Sequence, residues 1–351
     1  MPVTSEPVVL WLGLAGLLAG CGPPTLRLAP PPLGAEAVSL LGDTLWSVTL
    51  SAAEGQARVS QLAEAKRRAG ARWDDLNTRL LLGRRTAAMG RLREAIDIYT
   101  EAIEADPTDP RLFRRRGELL LLVREPDLAA RDLERAASRA RERISPDGRR
   151  FAPPVMEFLE GPDGQLSGAG VLHSSQLLLG MTHFIRGDYR RAYPMLVAAA
   201  QSADDADGIA TASLWLLFTL RRAGRLAEAG QIAKVIPADL PVVHRTAELR
   251  LLQAFAGTLS LDSLQRGLGG DIQSEAAGLY LYGLGSTLLA RGRQAEAAEA
   301  LDEVRHTTNW ASIIYVAAEA DLARLRRPCL EPNPVRFPDH RWNRCLVTAI
   351  Q

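Results

Sequence analysis

The sequence has few of the residues from which metal, redox and nucleotide sites are built. Its 351 residues include three cysteines and five histidines. No two histidines have the spacing of metal ligands on a helix, and the His-Glu-x-x-His motif does not occur. A Gly-Lys-Ser/Thr phosphate loop and a serine at a nucleophile elbow are missing as well. These absences predict a protein that is not an enzyme and that holds no metal and no cofactor.

The sequence also lacks an excess of charge of either sign. Lysine and arginine together number 42, and aspartate and glutamate 41, which leaves a formal net charge of +1. Domains that bind nucleic acid through their overall charge are strongly basic, so we expect no nucleic-acid partner. Hydrophobic residues make up 47% of the chain, which is ample for a packed core.

A six-residue pattern that begins with glycine and ends with alanine recurs along the chain. It occurs at Gly90–Ala95, Gly187–Ala192, Gly224–Ala229 and Gly292–Ala297. Each copy follows an apolar stretch with helical periodicity and opens another. The glycine can adopt the left-handed conformation of a tight turn, and the small alanine lets the second helix approach the first. The pattern predicts repeated helical hairpins, an all-α solenoid without a sheet.

The first two helical repeats follow each other with a period of 34 residues. Gly83 and Gly117 are 34 residues apart, as are Ala95 and Ala129. This period resembles the tetratricopeptide repeat, and the runs 40–46, 82–101 and 109–117 are similar to a largely uncharacterised group of bacterial repeat proteins that often carry secretion signals. The resemblance implies a TPR-type α-solenoid that binds a protein partner in its concave groove. The predicted organisation is a lipoprotein signal peptide at 1–20, a Pro-rich tether at 21–34, a helical lead-in at 35–72, repeats 1 and 2 at 73–143, a Pro/Gly-rich insertion at 144–172, repeats 3 to 5 with one degraded copy at 173–325, and a tail at 326–351.

The amino terminus reads as an export signal. Residues 8–19 form an apolar run of signal-peptide length, shorter than the roughly 20 residues of a membrane-spanning helix. The run ends in Leu18-Ala19-Gly20-Cys21, which looks like a bacterial lipobox. The motif implies lipidation of Cys21 and anchoring in the cell envelope, with the outer membrane indicated by Gly22. The alternative is an ordinary secretory signal in which the cysteine occurs by chance.

The other two cysteines lie in the carboxyl-terminal tail. Cys329 and Cys345 form an even pair, which predicts a disulfide in an oxidising compartment. A zinc site that includes His340 is the alternative, although only these three candidate ligands are present. We expect the disulfide to close a tail that its prolines keep from forming a regular helix.

Arginines are concentrated on the first helices of the first two repeats. Because first helices line the concave surface of this fold, some of the guanidiniums are expected to point into one groove. Arginine pairs bidentately with carboxylate or phosphate, so the cluster suits an acidic peptide, a chain terminus or a phosphorylated lipid. The alternative is a solvated face neutralised by nearby acids, including Glu118. The residues are Arg79, Arg84, Arg85, Arg111, Arg114, Arg115 and Arg116.

A second candidate surface is apolar. Leu178, Met181 and Phe184 in the third copy and Trp215 and Phe218 in the fourth are either core between repeats or, if exposed, a partner-binding surface. We therefore expect a lipid-anchored, non-enzymatic scaffold for protein–protein interactions. The alternative function is a small-ligand-binding component of a transport or sensing system, with a pocket between the repeats and the 144–172 insertion.

Overall fold

A computed structural model describes residues 28, 30–47, 52–142, 156–160, 166–266 and 274–326. The predicted signal peptide, Cys21, Cys329 and Cys345 lie outside these residues. Within them, helices follow one another along almost the whole chain, and no helix is long and apolar enough to cross a membrane. The helices are α1 (Ala52–Ala71), α2 (Leu76–Ala88), α3 (Leu92–Ala105), α4 (Pro110–Leu122), α5 (Pro126–Arg141), α6 (Val171–Ile185), α7 (Tyr189–Gln201), α8 (Ala206–Arg222), α9 (Leu226–Val235), α10 (Thr246–Ala256), α11 (Leu261–Arg266), α12 (Glu275–Ala290), α13 (Gln294–Thr307) and α14 (Ile313–Arg326).

The helices pair in sequence as antiparallel hairpins, which confirms the predicted helical repeat. The paired helices are α2–α3, α4–α5, α6–α7, α8–α9, α10–α11 and α12–α13, with α1 packed on α2 and α14 on α13. The predicted degraded copy corresponds to α10 and the six-residue α11. Aspartates cap several of the first helices. The Asp75 carboxylate accepts a hydrogen bond from the amide of Asn77, and that of Asp109 accepts one from the amide of Arg111.

Left-handed residues form the turns inside the hairpins. Gly90, Gly187, Gly224 and Gly292 have φ between 75° and 80°, as their place in the repeated pattern predicts. The second hairpin departs from the rule, because Arg124 has φ 67° at the equivalent place. A non-glycine residue in this conformation costs roughly 1–2 kcal/mol, so the side chain at this turn calls for an explanation.

Close packing inside a hairpin depends on a glycine in the first helix. A Cβ atom built on Gly117 would lie 2.8 Å from Cγ of Leu133, and one built on Gly83 would overlap the ring of Tyr99. Both Tyr99 and Leu133 are buried in the second helix of their hairpin. The 34-residue register of these positions is therefore a register of helix contacts.

The prediction of a chain without strands is wrong. The segment predicted as a helical lead-in begins with a short antiparallel hairpin, β1 (Ala37–Val38) and β2 (Thr44–Leu45), in which Ala37 pairs with Leu45. Its turn contains Gly42 at φ +97°, and its buried residues Ala37 and Leu45 join the main core. A second antiparallel hairpin, β3 (Met156–Glu160) and β4 (Leu166–Gly170), lies inside the predicted insertion and leads directly into α6.

The last helix packs back on the middle of the array. Besides its sequence neighbours α12 and α13, α14 contacts α6, which lies several hairpins earlier. Eight consecutive residues of α14, Tyr315 to Leu322, are buried. The β1–β2 hairpin lies beside the start of α14. The Trp310 indole donates to the Trp46 carbonyl oxygen at a distance of 2.8 Å. The first and last elements of the described chain are therefore in contact.

Candidate functional site

The arginines of α2 are held by the start of the array. Arg79 is buried, its Nε donates to the Trp73 carbonyl oxygen at 2.5 Å, and its guanidinium stacks 5.4 Å from the Trp73 ring centroid. Arg85 donates to the side-chain oxygen of Gln61 in α1 at 3.0 Å. Arg84 is half-buried and lies one residue after the packing glycine of this helix. Arg79 thus acts in packing, whereas Arg84 and Arg85 are accessible in part.

The arginines of α4 surround two carboxylates. Arg111 binds Asp109, with Nη2 2.8 Å from Oδ2, and also donates to the Asn77 side-chain oxygen at 3.0 Å. That second bond joins the starts of α2 and α4. Arg114 and Arg115 both contact Glu118, at 3.1 and 3.3 Å.

The pair on Glu118 has an electrostatic consequence. Burial alone would raise the pKa of Glu118, but the guanidiniums of Arg114 and Arg115 outweigh burial and hold that pKa below its ordinary value. The carboxylate is therefore charged at neutral pH and is shared by two cations. Glu118 thus neutralises part of the charge of Arg114 and Arg115, as the alternative interpretation of this cluster predicted.

Arg116, the next arginine of α4, has a structural role. Both Nε and Nη2 of Arg116 contact the buried carboxylate of Asp132 in α5, at 2.6 and 3.0 Å. Its third contact is the Thr100 hydroxyl at 3.1 Å. This pair joins α3, α4 and α5 beneath the surface and presents no charge to a partner.

The part of α2 and α4 that does not pack in the interior is basic. Helices α2 and α4 together contain seven arginines and one glutamate. We call Arg84, Arg85, Arg111 and Arg115 the arginine face; each of them has a contact within the protein. The predicted groove residue Arg114 is buried, with 7% exposure. Side-chain amides and carboxylates fix several of these guanidiniums in place.

The predicted apolar candidates lie in the interior. Met181, Phe184 and Trp215 are at most 5% exposed. Phe184, Trp215, Phe218 and Tyr282 stack edge to face in sequence, with ring centroids 5.0–5.9 Å apart. These rings belong to α6, α8 and α12, so the first helices of the later repeats meet in a core. Of the two alternatives, burial between repeats is the one that the structure shows for these side chains.

The buried Asp321 of α14 joins this core. The Asp321 carboxylate accepts from Arg222 of α8 at 2.9 Å and from the Tyr282 hydroxyl of α12 at 3.0 Å. Burial, with the Asp321 charge beside it, raises the pKa of Tyr282 well above its ordinary value, so the phenol remains a donor. Arg324, which also contacts Asp321, donates to the Phe184 and Ile185 carbonyl oxygens at the end of α6. The carboxyl end of α6 is capped in this way by a cation.

Arg124 forms the second anchor of α14, and the sequence analysis missed it. Its Nε donates to the Glu319 carboxylate at 3.0 Å, and both groups are almost completely buried. The guanidinium also donates to the Trp310 carbonyl oxygen at 3.0 Å and stacks on the Trp310 and Tyr315 rings. The 34-residue period of the repeat marks this position as unusual. Arg124 lies 34 residues after Gly90, where the repeat predicts a glycine.

Other kinds of site are not evident in the described part of the chain. No group of three or more His, Cys, Asp and Glu side chains there has the geometry of a metal site. A cleft of about 470 Å³ runs between α13 and α14 and is bordered by Glu299, Asp302 and Arg326. All of its lining residues belong to α13 and α14.

Comparison with known proteins finds a similarity in the first repeats. The model of the tetratricopeptide repeat family matches residues 80–148. This segment is similar to tetratricopeptide repeats. It contains the arginine face and the Arg124 turn, and its 34-residue register is the one read from the sequence. Tetratricopeptide-repeat proteins generally mediate protein–protein interactions.

The comparison with solved structures returns repeat proteins at low sequence identity. The protein YrrB, described as a TPR protein with an unusual peptide-binding site, is 13% identical, covers 69% of this chain and 91% of its own, and has a TM-score of 0.39. A tetratricopeptide repeat protein from Parabacteroides merdae ATCC 43184 is 15% identical, covers 76% of this chain and 92% of its own, and has a TM-score of 0.44. No curated protein matches the chain.

Proposed function

We propose that this protein is a non-enzymatic scaffold that holds an acidic segment of a protein partner on the arginine face. The observation that carries the proposal is that four of the seven arginines on the neighbouring first helices α2 and α4 are only partly buried, with one glutamate beside them. They are Arg84, Arg85, Arg111 and Arg115. The equivalent first helices α6, α8 and α12 of later hairpins contain only two arginines in all, Arg221 and Arg222 of α8. A ligand with several carboxylates gains charge-assisted hydrogen bonds there.

The partner's chemistry follows from the spacing of the guanidiniums. Arg111 and Asn77 join the starts of α2 and α4, and Arg115 and Glu118 lie one turn further along α4. An extended acidic segment can therefore contact both helices in succession. Glu118 already pairs with Arg114 and Arg115. A carboxylate of the partner that binds there therefore replaces part of the contact with Glu118.

A double variant tests the arginine face. Purified Arg84→Ala/Arg115→Ala protein is compared with wild type in capturing partners from membrane extracts, and the captured proteins are then titrated individually. Loss of buried charge-assisted contacts costs about 2–5 kcal/mol, so we expect captured partners to bind at least tenfold more weakly.

The matched control removes two arginines from exposed pairs elsewhere. Arg225 and Arg293 pair with Glu228 and Glu296 on the second helices α9 and α13, and Arg225→Ala/Arg293→Ala changes the net charge equally. Equal binding by wild type and the α2–α4 variant, at low and high salt, would exclude the arginine face.

We further propose that the scaffold is attached to the bacterial envelope, in the outer membrane, through lipid on Cys21. The support is the Leu18-Ala19-Gly20-Cys21 sequence after an apolar run of signal length. Cells labelled with radioactive palmitate should yield labelled wild type and unlabelled Cys21→Ala protein. Equal label in the two proteins would reject the lipid anchor.

A further inference from the structure

The β1–β2 hairpin has an exposed apolar side that its core contacts do not use. Ala37 and Leu45 face the core, so the alternation of a strand directs Val38 and Trp46 outward. Trp46 is 55% exposed and Val38 41%. We call Leu33, Val38, Leu40 and Trp46 the hairpin patch.

Exposed apolar residues of the described chain are concentrated in the segment that forms the hairpin patch. Ten large apolar side chains are exposed in the described residues, and four of them fall between residues 33 and 46. Leu33 is 99% exposed, and a Cβ atom on Gly34 would lie 3.5 Å from the Trp46 ring. The turn that contains Leu33 therefore lies beside Trp46. Single exposed apolar residues are ordinary, but a cluster indicates an interaction surface.

Charged groups of this segment point away from the patch or are already paired. Residues 33–47 contain two acids, Glu36 and Asp43, and no base. The Glu36 carboxylate accepts the Arg93 amide at 2.9 Å, at the start of α3, and Asp43 pairs with Arg305 at 2.6 Å. The outer side consequently carries apolar side chains and a tryptophan. Tryptophan is enriched where proteins meet the interface of a bilayer.

The sequence places this patch close to the proposed lipid. Leu33 follows Cys21 by twelve residues, and a fully extended chain of that length spans about 40 Å. A lipid on Cys21 therefore keeps the patch near the headgroups at a high effective concentration. One lipid signal alone gives marginal binding, and a second contact on the same segment strengthens it.

We propose that the hairpin patch docks on the lipid bilayer and fixes the orientation of the repeat array at the membrane. The proposal rests on the lipid anchor proposed above. The hairpin can transmit this orientation, because it is tied to α3 through Arg93 and to α13–α14 through Arg305 and Trp310. Docking therefore positions the array as a body.

The test measures the depth of single tryptophans in the lipidated full-length mature protein. The protein is reconstituted in vesicles of phosphatidylethanolamine and phosphatidylglycerol, with or without bromine on the acyl chains. The Trp46 signal is the difference between wild type and Trp46→Phe. The matched control is Trp73, 39% exposed at the start of the array, measured through Trp73→Phe. We expect bromine to quench most of the Trp46 signal and little of the Trp73 signal.

A second variant and a mass measurement separate the possible failures. Leu33→Asp alters a fully exposed side chain, so it should leave folding unchanged and reduce Trp46 quenching severalfold. An unquenched Trp46, or equal quenching of Trp46 and Trp73, in protein whose mass shows lipid on Cys21 would overturn the docking surface and leave the anchor standing. Protein without lipid on Cys21 would overturn both, because the tether argument requires the anchor.

Discussion

At the scale of single residues, Gly83 allows α2 and α3 to pack closely against each other. A methyl group there would overlap the ring of Tyr99, which is 1% exposed and cannot move aside into solvent. We expect Gly83→Ala to lower the free energy of unfolding by about 1–3 kcal/mol through overpacking. Urea titration followed by circular dichroism measures the loss.

The control for this prediction is another helical glycine. A Cβ atom on Gly70 in α1 meets nothing within 4 Å. Gly70→Ala should raise the free energy of unfolding by about 0.5–1 kcal/mol, since alanine restricts the unfolded chain. If both variants had the same stability, the packing role of Gly83 would be wrong.

His183 predicts a dependence of stability on pH. Burial lowers the pKa of His183, although Asp188 acts against it, so the ring is neutral in the folded protein. In the unfolded chain the ring binds a proton near pH 6.5. The unfolded state then holds more protons, and stability is present above about pH 6.5 and is lost as the pH falls toward the lower folded pKa.

The measurement compares urea midpoints between pH 7.5 and 5.5. His183→Asn should flatten the acid side of the profile relative to wild type, because the titrating ring is gone. The control is Gly70→Ala, which changes no titratable group and should leave the slope as it is. A wild-type slope that His183→Asn does not change would contradict the assignment.

At the scale of elements, a strained turn holds the last helix. Arg124 adopts a left-handed conformation that glycine supplies in the five other hairpins. Its guanidinium satisfies Glu319 of α14, a carboxylate with 0% exposure whose other oxygen has no hydrogen-bond partner among the described residues. Backbone strain of this kind persists where the surrounding contacts fix it.

We expect Arg124→Gly to destabilise the protein although it relieves the turn. Relief is worth roughly 1–2 kcal/mol, whereas leaving one partner of a buried ion pair alone costs about 3–5 kcal/mol. The net loss is measured by thermal or urea unfolding. Arg225→Ala removes an exposed pair with Glu228 and should change stability by less than about 1 kcal/mol. An Arg124→Gly protein as stable as wild type, or more stable, would contradict the expected net contribution of the ion pair.

Sequence patterns predict elements whose signals are local. The helical hairpins and their glycine turns follow from the repeat, and Gly83 and Gly117 follow from the 34-residue register. The β1–β2 hairpin could not be predicted this way, because strands of two residues show no periodicity. Arg124 also escapes local analysis, since its reason is Glu319, 195 residues away.

The same difference applies to the candidate site. Spacing places the arginines on two first helices, but it does not distinguish the accessible Arg84 from Arg116, which is paired with Asp132 beneath the surface. Likewise, Phe184 and Trp215 have the spacing of either a core or a groove. Only the packing of α6, α8 and α12 against one another decides that they are core.

At the scale of the whole molecule, the described chain differs from an open solenoid. In an open array each repeat contacts only its neighbours, and stability is a sum of local terms. Here Arg124 contacts Trp310 and Glu319, and Asp43 pairs with Arg305. These contacts connect the two ends of the array, so they add long-range terms that couple distant repeats.

Coupling of the ends predicts cooperative unfolding. In wild type, urea transitions followed by far-ultraviolet circular dichroism and by tryptophan fluorescence should coincide, as for a two-state domain. The Arg124→Gly/Trp310→Ala variant loses the stacking of these two side chains, the Arg124 ion pair with Glu319 and the Trp310 bond to the Trp46 carbonyl oxygen. Its early and late hairpins should then unfold separately, which gives two transitions and a lower apparent slope. Separated transitions already in wild type would mean that the end contacts are too weak to unite the array, since each hairpin would then respond to urea by its own local stability.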